Sequence, residues 1–385
     1  MLRRVALVAA LAAGISTGGF PVVWAQTAVT PEEVLAGKLL GATDDLTTSI
    51  PASSVLALSD EMRAFLRRHV NRGGTDVFRM QQLIDAMMGT TSFKLEYDEN
   101  TRIAAETFRL QRGNCLSFTT LFVALARGTG LKADFQEVEI PPDWSTRKDV
   151  FVLNRHVNVI VQLGASGSRA IDFNIGDFKS TYEVDKISDK RAISHFFNNM
   201  GVERMQTGQI SDAVAFFRRS IVDGDGEFSP PWTNLGMLYR KLGYYEHAEV
   251  AYIQAIKVDK EDDVAMSNLV SLYERNGELE KLQMYQKKVD KHRLRNPHLR
   301  YSLARDAFSD GDYDAAIDHL KSATRRVHDN AEYFFLLGAC YLMQGDEEKA
   351  RRWTAKAVKV AETDDEKRRY KEKTEALMQA SNSVH

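Results

Sequence analysis

The hydrophobic pattern along the chain changes character twice, and each change predicts a different kind of structure. Residues 53–70 and 76–88 carry apolar side chains at the spacing of amphipathic helices, and a continuous apolar run after Cys115 predicts a buried helix. Three segments that predict strands follow, at residues 133–140, 156–163 and 169–174. From about residue 194 onward the pattern is purely helical. The sequence therefore predicts an α+β domain followed by an all-α region.

The helical region repeats itself every 34 residues. Small residues recur in phase with glycines at this spacing, which are Gly243, Gly277, Gly311 and Gly345. This period is typical of helix–turn–helix solenoids, in which the glycine turns the chain and the small residues let two helices approach closely. Trp232, Gly236 and Tyr239 also follow the tetratricopeptide pattern. Residues 194–364 therefore resemble five tetratricopeptide repeats, and residues 365–385 are predicted to form a capping helix and tail.

Stacked repeats of this kind form a concave groove, which usually holds an extended peptide or a partner helix. Asn199, Asn234 and Asn268 occupy the same position in three consecutive repeats. Because a side-chain amide both donates and accepts, a row of amides could pair with the backbone of a ligand. The alternative is that these residues hold the repeats together or face water. The predicted partner is a protein or peptide in the repeat groove.

Composition and charge exclude several other classes of protein. The 385 residues are 44% hydrophobic and 27% charged, as in ordinary globular proteins, and the formal net charge of −2 gives no support for a nucleic-acid partner. Two cysteines are too few for a disulfide scaffold or a four-cysteine metal site. The nine histidines form no metal-binding pair, and no nucleotide-binding glycine pattern occurs, so no metal or cofactor is predicted. The oligomeric state is left open.

The first 25 residues have the features of a secretory signal. Arg3 and Arg4 precede an apolar run over residues 5–15, and the segment ends in small or branched residues up to Ala25. The alternative is a membrane anchor, but the run is shorter than the ~20 residues that a span needs. We therefore expect cleavage near Ala25, a periplasmic or secreted protein, and no membrane span after removal of the signal.

Three residues between the signal and the repeats have the chemistry of a nucleophilic system. Cys115 follows a Gly-Asn turn and begins a helix, whose N-terminus lowers a thiol pKa and offers backbone N–H groups to an oxyanion. His156 begins a strand, and Asp172 lies an even number of residues later on the next strand, which predicts that both face the same side. A thiol, an imidazole and a carboxylate are the parts of a Cys–His–Asp system. The alternative is that Cys115 is a buried small hydrophobe.

The motifs around these residues resemble a known superfamily. Gly113-Asn114-Cys115 opening an apolar helix, then His156-Val157-Asn158 on a strand, then Ile171-Asp172, looks like the transglutaminase-like core. This superfamily includes transglutaminases and papain-related thiol peptidases and amidases. The resemblance covers residues 90–175 and implies an α+β domain over residues 26–190, with Cys115 as nucleophile, His156 as base and Asp172 as the orienting acid. Transglutaminases usually carry a tryptophan after the catalytic histidine, and Val157 stands there instead, which disfavours strict protein cross-linking.

Together these features predict an exported thiol enzyme of the acyl-transfer class, that is, a peptidase, an amidase or a transglutaminase-type enzyme. It would attack an amide through Cys115, while the repeats present a protein or peptide. Trp144, in a predicted loop, would either stack on the substrate or pack on the core. The alternative hypothesis is a non-catalytic periplasmic tetratricopeptide scaffold with a degenerate thiol domain.

Overall fold

The computed structural model describes residues 29–42, 50–88, 93–140, 154–173, 184–361 and 363–382. The predicted signal sequence and Trp144 lie outside these ranges. None of the described helices combines the length and the apolar character that a membrane span requires.

Within the described ranges, five α-helices precede the main sheet. They are α1 (Pro31–Ala36), α2 (Asp60–His69), α3 (Asp76–Met88), α4 (Ala104–Leu110) and α5 (Cys115–Gly128). Helix α2 begins later than the apolar pattern predicts, because the Ser59 hydroxyl caps it by accepting from the Met62 N–H (3.3 Å). Helix α5 is buried from Leu116 to Ala126, since α2, α3, α4 and the sheet all pack against it.

Two sheets accompany α5. A short parallel ladder joins β1 (Glu96–Tyr97) and β2 (Arg112–Gly113) immediately before the helix. The main sheet is antiparallel with the order β5-β4-β3-β6, and its strands are β3 (Lys132–Ile140), β4 (Asn154–Gln162), β5 (Ser168–Ile171) and β6 (Val184–Ile187). The sequence pattern predicts β3, β4 and β5 but not β6. Strand β6 is a mostly exposed edge strand, so it lacks the apolar alternation that marks a half-buried strand.

Five antiparallel helix pairs follow, in agreement with the 34-residue period. The pairs are α6 (Asp189–Gln206) with α7 (Ile210–Val222), α8 (Pro230–Lys241) with α9 (Tyr245–Val258), α10 (Asp263–Asn276) with α11 (Leu279–Arg293), α12 (Pro297–Ser309) with α13 (Tyr313–Thr324), and α14 (Ala331–Met343) with α15 (Glu347–Val360). Helix α16 (Asp364–Asn382) packs on the last pair. The in-phase small residues permit close contact: a Cβ atom on Gly236 would lie 2.5 Å from the Tyr252 ring.

The first repeat helix, α6, belongs to the core of both regions. Its residue Phe196 is fully buried in the same cluster as α5 and the sheet, although α6 also pairs with α7. On β3, Glu137 accepts a hydrogen bond from the Arg191 guanidinium (2.8 Å) and also contacts the His195 ring. The Phe228 ring lies 4.4 Å from His195 and packs under Arg191. These contacts fix the start of the repeats on the sheet.

The N-terminal segment packs on the repeats, although the sequence analysis assigned it to the α+β domain. Residues 29–42 fall in the range assigned to the α+β domain, yet Val34 is buried in the core of the second repeat. The Tyr239 hydroxyl donates to the Val34 carbonyl (2.9 Å), and the Arg218 guanidinium donates to the Leu35 carbonyl (2.8 Å). This segment therefore packs on the repeats, where α1 contacts α9 and the turn after α1 contacts α7, and it buries Val34 and Leu40 there.

The junction at Glu137 predicts a specific loss of stability in acid. Burial alone would raise the pKa of Glu137, but hydrogen bonds and charge from His195 and then Arg191 outweigh it and lower the pKa from 4.5 to about 2. A carboxyl with a lowered folded-state pKa stabilises the fold above its unfolded pKa and loses that contribution as the pH falls toward its folded value. We expect Glu137→Gln to reduce the free energy of unfolding near neutral pH by up to about 3 kcal/mol.

The stability difference between wild type and Glu137→Gln should then shrink as the pH is lowered from 4.5 toward 2. Urea unfolding at a series of pH values measures it. Glu280→Gln, on the exposed side of α11, is the matched control and should track the wild type. A Glu137→Gln difference that stays constant over this range would contradict the assignment.

Candidate functional site

The structure brings His156 and Asp172 into direct contact. Strand β4 pairs with β5 from Val159 to Gln162, and Val159 faces Ile171, the last residue of β5. One step further along this register, Asp172 falls on the side of the sheet that carries Asn158 and His156. His156 Nε2 lies 2.7 Å from Asp172 Oδ1, and both side chains are 9% exposed. The hairpin geometry expected from the even spacing is therefore present.

Asn158 completes this arrangement, although no role was predicted for it. Its Nδ2 donates to Asp172 Oδ2 (3.0 Å), and the side chain is fully buried. Both carboxylate oxygens are thus held, one by His156 and one by Asn158. An ionised Asp172 can only accept, so in that state His156 Nε2 donates this hydrogen bond. The signal available in the sequence was the alternation of His156 and Asn158 on one strand face.

Cys115 is the first residue of α5 and is partly exposed. The turn before it is fixed on both sides: Asn114 Oδ1 caps the helix by accepting from the Ser117 N–H (2.9 Å), and its amide donates to the Thr101 hydroxyl (2.7 Å). At Gly113, a Cβ atom would lie 2.6 Å from Ser117 Cβ, so this close approach requires glycine. The position of the thiol is therefore set by a rigid, capped helix start.

The direction of α5 places Cys115 toward the end of the sheet that carries His156. Thr119, one turn after Cys115, donates from its hydroxyl to the Val157 carbonyl (3.1 Å). At the far end of the helix, the Arg127 guanidinium donates to the Ala133 carbonyl (2.8 Å), and Ala133 pairs with Val161. Helix α5 thus runs alongside β4 in the same direction. Cys115 precedes Thr119 by about 6 Å along the helix axis, toward the beginning of β4.

The segment after Asp172 also contacts this helix. The Phe173 ring lies 5.9 Å from the Phe118 ring and 6.0 Å from the Phe122 ring, both on α5. Packing of Phe173 on α5 therefore fixes the end of the hairpin, and Asp172 with it, beside the first turns of the helix. Cys115 begins α5, His156 lies on β4, and Asp172 directly follows β5. Both β4 and the segment after β5 pack against α5.

Tyr97 lies beside the cysteine on the neighbouring short strand. Partial burial, followed by the negative charge of an ionised Cys115, raises the pKa of Tyr97 above its ordinary value. The Tyr97 ring is 65% exposed. The thiol therefore has an aromatic residue next to it at the protein surface, a residue to which the sequence assigned no function.

The asparagines of the repeats make contacts within the array. The Asn234 amide donates to Asn198 Oδ1 on the preceding repeat (2.8 Å), and the Asn268 amide donates to the Val264 carbonyl of its own helix (2.9 Å). Asn199 is half-buried on α6. Two of the three amides thus each use one N–H within the protein, between repeats at Asn234 and within its own helix at Asn268.

The second cysteine has a different environment. Cys340 is fully buried in α14, and burial raises its pKa to about 12. The two cysteines are not joined in a disulfide. Within the described ranges, no group of three or more His, Cys, Asp or Glu side chains is arranged to hold a metal ion.

Comparisons with known proteins identify the repeats. The tetratricopeptide repeat family matches residues 229–262 and residues 301–366, which correspond to α8–α9 and α12–α15. The chain therefore contains tetratricopeptide repeats, and this part of the sequence-based prediction is confirmed. A search of curated proteins gives no match.

Several solved structures are similar to less than half of the chain. MamA (AMB-1) is 19% identical over 43% of this chain and 89% of its own, with a TM-score of 0.22. YrrB, described as a TPR protein with an unusual peptide-binding site, is 16% identical over 46% and 90%, with a TM-score of 0.24. BtubC from P. vanneervenii is 17% identical over 45% and 81%, with a TM-score of 0.26.

The environments of the two thiols predict very different reactivities. Because Cys115 is partly exposed at a helix N-terminus, whereas Cys340 is buried with a pKa of about 12, we expect one cysteine to react in the native protein. Alkylation with iodoacetamide followed by mass spectrometry should give a single modification at Cys115, and two after unfolding in urea. The Cys115→Ser variant should give none in the native state. Native labelling of Cys340 at a comparable rate would contradict this prediction.

Proposed function

We propose that this protein is a thiol-dependent acyl-transfer enzyme of the transglutaminase-like type, and that its repeats bind a protein or peptide. The observation that carries this proposal is the His156–Asp172 contact of 2.7 Å, located at the end of the sheet nearest to the start of α5. A buried histidine–carboxylate pair near the start of a capped helix is an arrangement that can activate a thiol. Asn158 supports it by holding the second oxygen of Asp172.

In the proposed reaction, His156 Nδ1 accepts the proton of the Cys115 thiol, and the thiolate attacks the carbonyl carbon of an amide. The C–N bond then breaks, the leaving amine takes the proton from His156, and the acyl group stays on sulfur as a thioester. Water or a second amine, deprotonated by the same nitrogen, attacks the thioester and releases Cys115. Asp172 keeps His156 in the tautomer that these steps require.

The helix start supplies the remaining element of such a site. Cys115 lies at the N-terminus of α5, which is the positive end of the helix dipole. This end would therefore stabilise both the thiolate of Cys115 and the negative oxygen that develops on the attacked carbonyl. In this scheme Asp172 stabilises the positive charge on the protonated imidazole, and the helix N-terminus stabilises the negative charge on sulfur or oxygen.

The repeats and the N-terminal pattern complete the proposal. Stacked tetratricopeptide repeats present a concave surface suited to an extended peptide, and α6 fixes this surface rigidly to the sheet that bears His156. The apolar run after Arg3 and Arg4 supports export to the periplasm or the medium.

Substitutions at the histidine and the aspartate test the activated thiol. With a thiol-directed acylating probe at neutral pH, we expect His156→Ala to lower the second-order rate of Cys115 acylation by about 10²–10⁴-fold, because the general base is lost. Asp172→Asn should also lower it, because an amide can donate to Nε2 and then favours the wrong tautomer. The rate is followed by intact-protein mass spectrometry.

His328→Ala is the matched control, since His328 is an exposed histidine at the end of α13. It should acylate like the wild type. If His156→Ala and the control acylated at equal rates while both remained folded by circular dichroism, the enzyme proposal would fail and a non-catalytic scaffold would be favoured.

The role of the repeats can be separated from that of the thiol. When the thioester is trapped with periplasmic protein as the acyl donor, we expect the double variant Asn234→Ala/Asn268→Ala to capture several-fold less substrate than the wild type. Labelling of the same variant by the small acylating probe should be unchanged, because these residues lie on α8 and α10, away from Cys115. Equal capture by variant and wild type would show that these positions do not bind the substrate.

A further inference from the structure

Four arginines surround one cavity at the C-terminal end of α2. The cavity has a volume of about 690 Å³, within the range of roughly 300–1,000 Å³ typical of small-ligand sites. Its charged lining consists of Arg63, Arg67, Arg68 and Arg72, and the side chains of His69 and Gln82 also line it. All four arginines are solvent-exposed, so the cavity is open to a ligand from outside.

Within the described part of the chain, these positive charges have no acid beside them in the cavity. Among the described residues, no carboxylate lines the cavity, and Arg63, Arg67 and Arg68 take part in no ion pair. The nearby acid Asp76 is already bound to Arg79. Cations gathered without a counter-charge repel one another, and this repulsion is relieved when an anion binds among them.

The helix end explains only part of this cluster. Basic residues in the last turn of a helix interact favourably with its dipole, which accounts for Arg67 and Arg68. Arg63 lies before the last turn of α2, and Arg72 comes from the loop that follows, with its guanidinium donating to the Gly128 carbonyl (2.7 Å). The helix dipole therefore does not explain why Arg63 and Arg72 also line this cavity.

We propose that this cavity binds a small, multiply charged phosphate-bearing anion. Planar guanidinium groups pair with phosphate oxygens through two parallel hydrogen bonds, and groups approaching from a helix and from a loop can hold more than one phosphate. Gln82 adds a neutral donor: its Oε1 accepts from the Asn71 N–H (2.9 Å), which leaves its amide N–H groups for the ligand. A ligand with two or more phosphate groups uses all of these donors.

This site is separate from the proposed thiol site. Arg72 contacts Gly128, the last residue of α5, whereas Cys115 is the first residue of the same helix. The two ends are about 20 Å apart along the helix axis. Binding at the arginine cavity therefore does not depend on the reaction proposed for Cys115. An experiment can disprove either proposal and leave the other intact.

Isothermal titration calorimetry on the full chain tests the proposal, with inorganic phosphate, pyrophosphate and tripolyphosphate as probes. We expect saturable binding at one site, tighter for pyrophosphate and tripolyphosphate than for phosphate, and weaker as salt is raised. Arg67→Gln/Arg68→Gln should weaken pyrophosphate binding by at least about tenfold, since each lost charge-assisted hydrogen bond is worth 1.4 kcal/mol or more.

Arg325→Gln/Arg326→Gln is the matched control, because these adjacent exposed arginines directly follow the end of α13 and their substitution removes the same charge. This variant should bind pyrophosphate like the wild type. Equal weakening in both double variants would mean a general charge effect and would overturn the site, as would the absence of saturable binding to the wild type. Thermal unfolding without ligand verifies that both variants are folded.

Sedimentation with phosphatidylglycerol vesicles distinguishes the source of the phosphate. If the wild type bound these vesicles through Arg67 and Arg68 but did not bind soluble pyrophosphate or tripolyphosphate, the cavity would be a membrane-surface contact and the small-ligand proposal would be wrong. Binding of the soluble anions that is lost in Arg67→Gln/Arg68→Gln supports it.

Discussion

The burial of α5 is the constraint on which the rest of the α+β region depends. Side chains such as Leu121, Phe122 and Leu125 have no exposed surface, and each contributes roughly 1.5–3 kcal/mol when it is removed from water. Because α2, α3, α4 and the sheet surround the helix, only its two ends reach the surface. Cys115 lies at one end and the contact with Arg72 at the other. Both proposed sites are therefore placed by the same packed helix.

The repeats are attached to this core by shared packing. Helix α6 contributes Phe196 to the core around α5 and at the same time forms the first repeat with α7. Glu137, which binds Arg191 on α6, pairs across the sheet with Val157, the residue after His156. The contact that docks the repeats is thus one strand away from the proposed base. Strands β3 and β4 thus carry both the contact that docks α6 and the imidazole of His156.

The sequence was informative where a structural rule is local. The 34-residue period and the in-phase glycines predicted the repeat pairs, because every repeat obeys the same steric rule at its turn. The parity of His156 and Asp172 predicted their contact, because side chains alternate along strands. Contacts made by tertiary packing gave no such signal. The docking of residues 29–42 on the repeats and the exposed edge strand β6 could not be predicted from periodicity.

The candidate sites show the same division. Asn158 was visible as a strand-face neighbour of His156, but its bond to Asp172 depends on how β4 and β5 are aligned. The arginine cavity depends on Arg72 reaching back to the end of α5, which no pattern within α2 reveals. Sequence reasoning thus identified groups with a shared local geometry, while the groups that complete each site were determined by the packing around α5.

One hydrogen bond connects stability and the proposed chemistry directly. The thiol lies on a helix and the imidazole on a strand, so their separation is determined by how α5 sits on β4. The Thr119 hydroxyl, which is fully buried, sets this position by binding the Val157 carbonyl outside the β4–β5 ladder. Without it, that carbonyl would be buried and unpaired, at a cost of about 1–3 kcal/mol. The same bond that avoids this cost also keeps the first turn of α5 aligned with the start of β4, so the fold cannot relax there without moving Cys115 relative to His156.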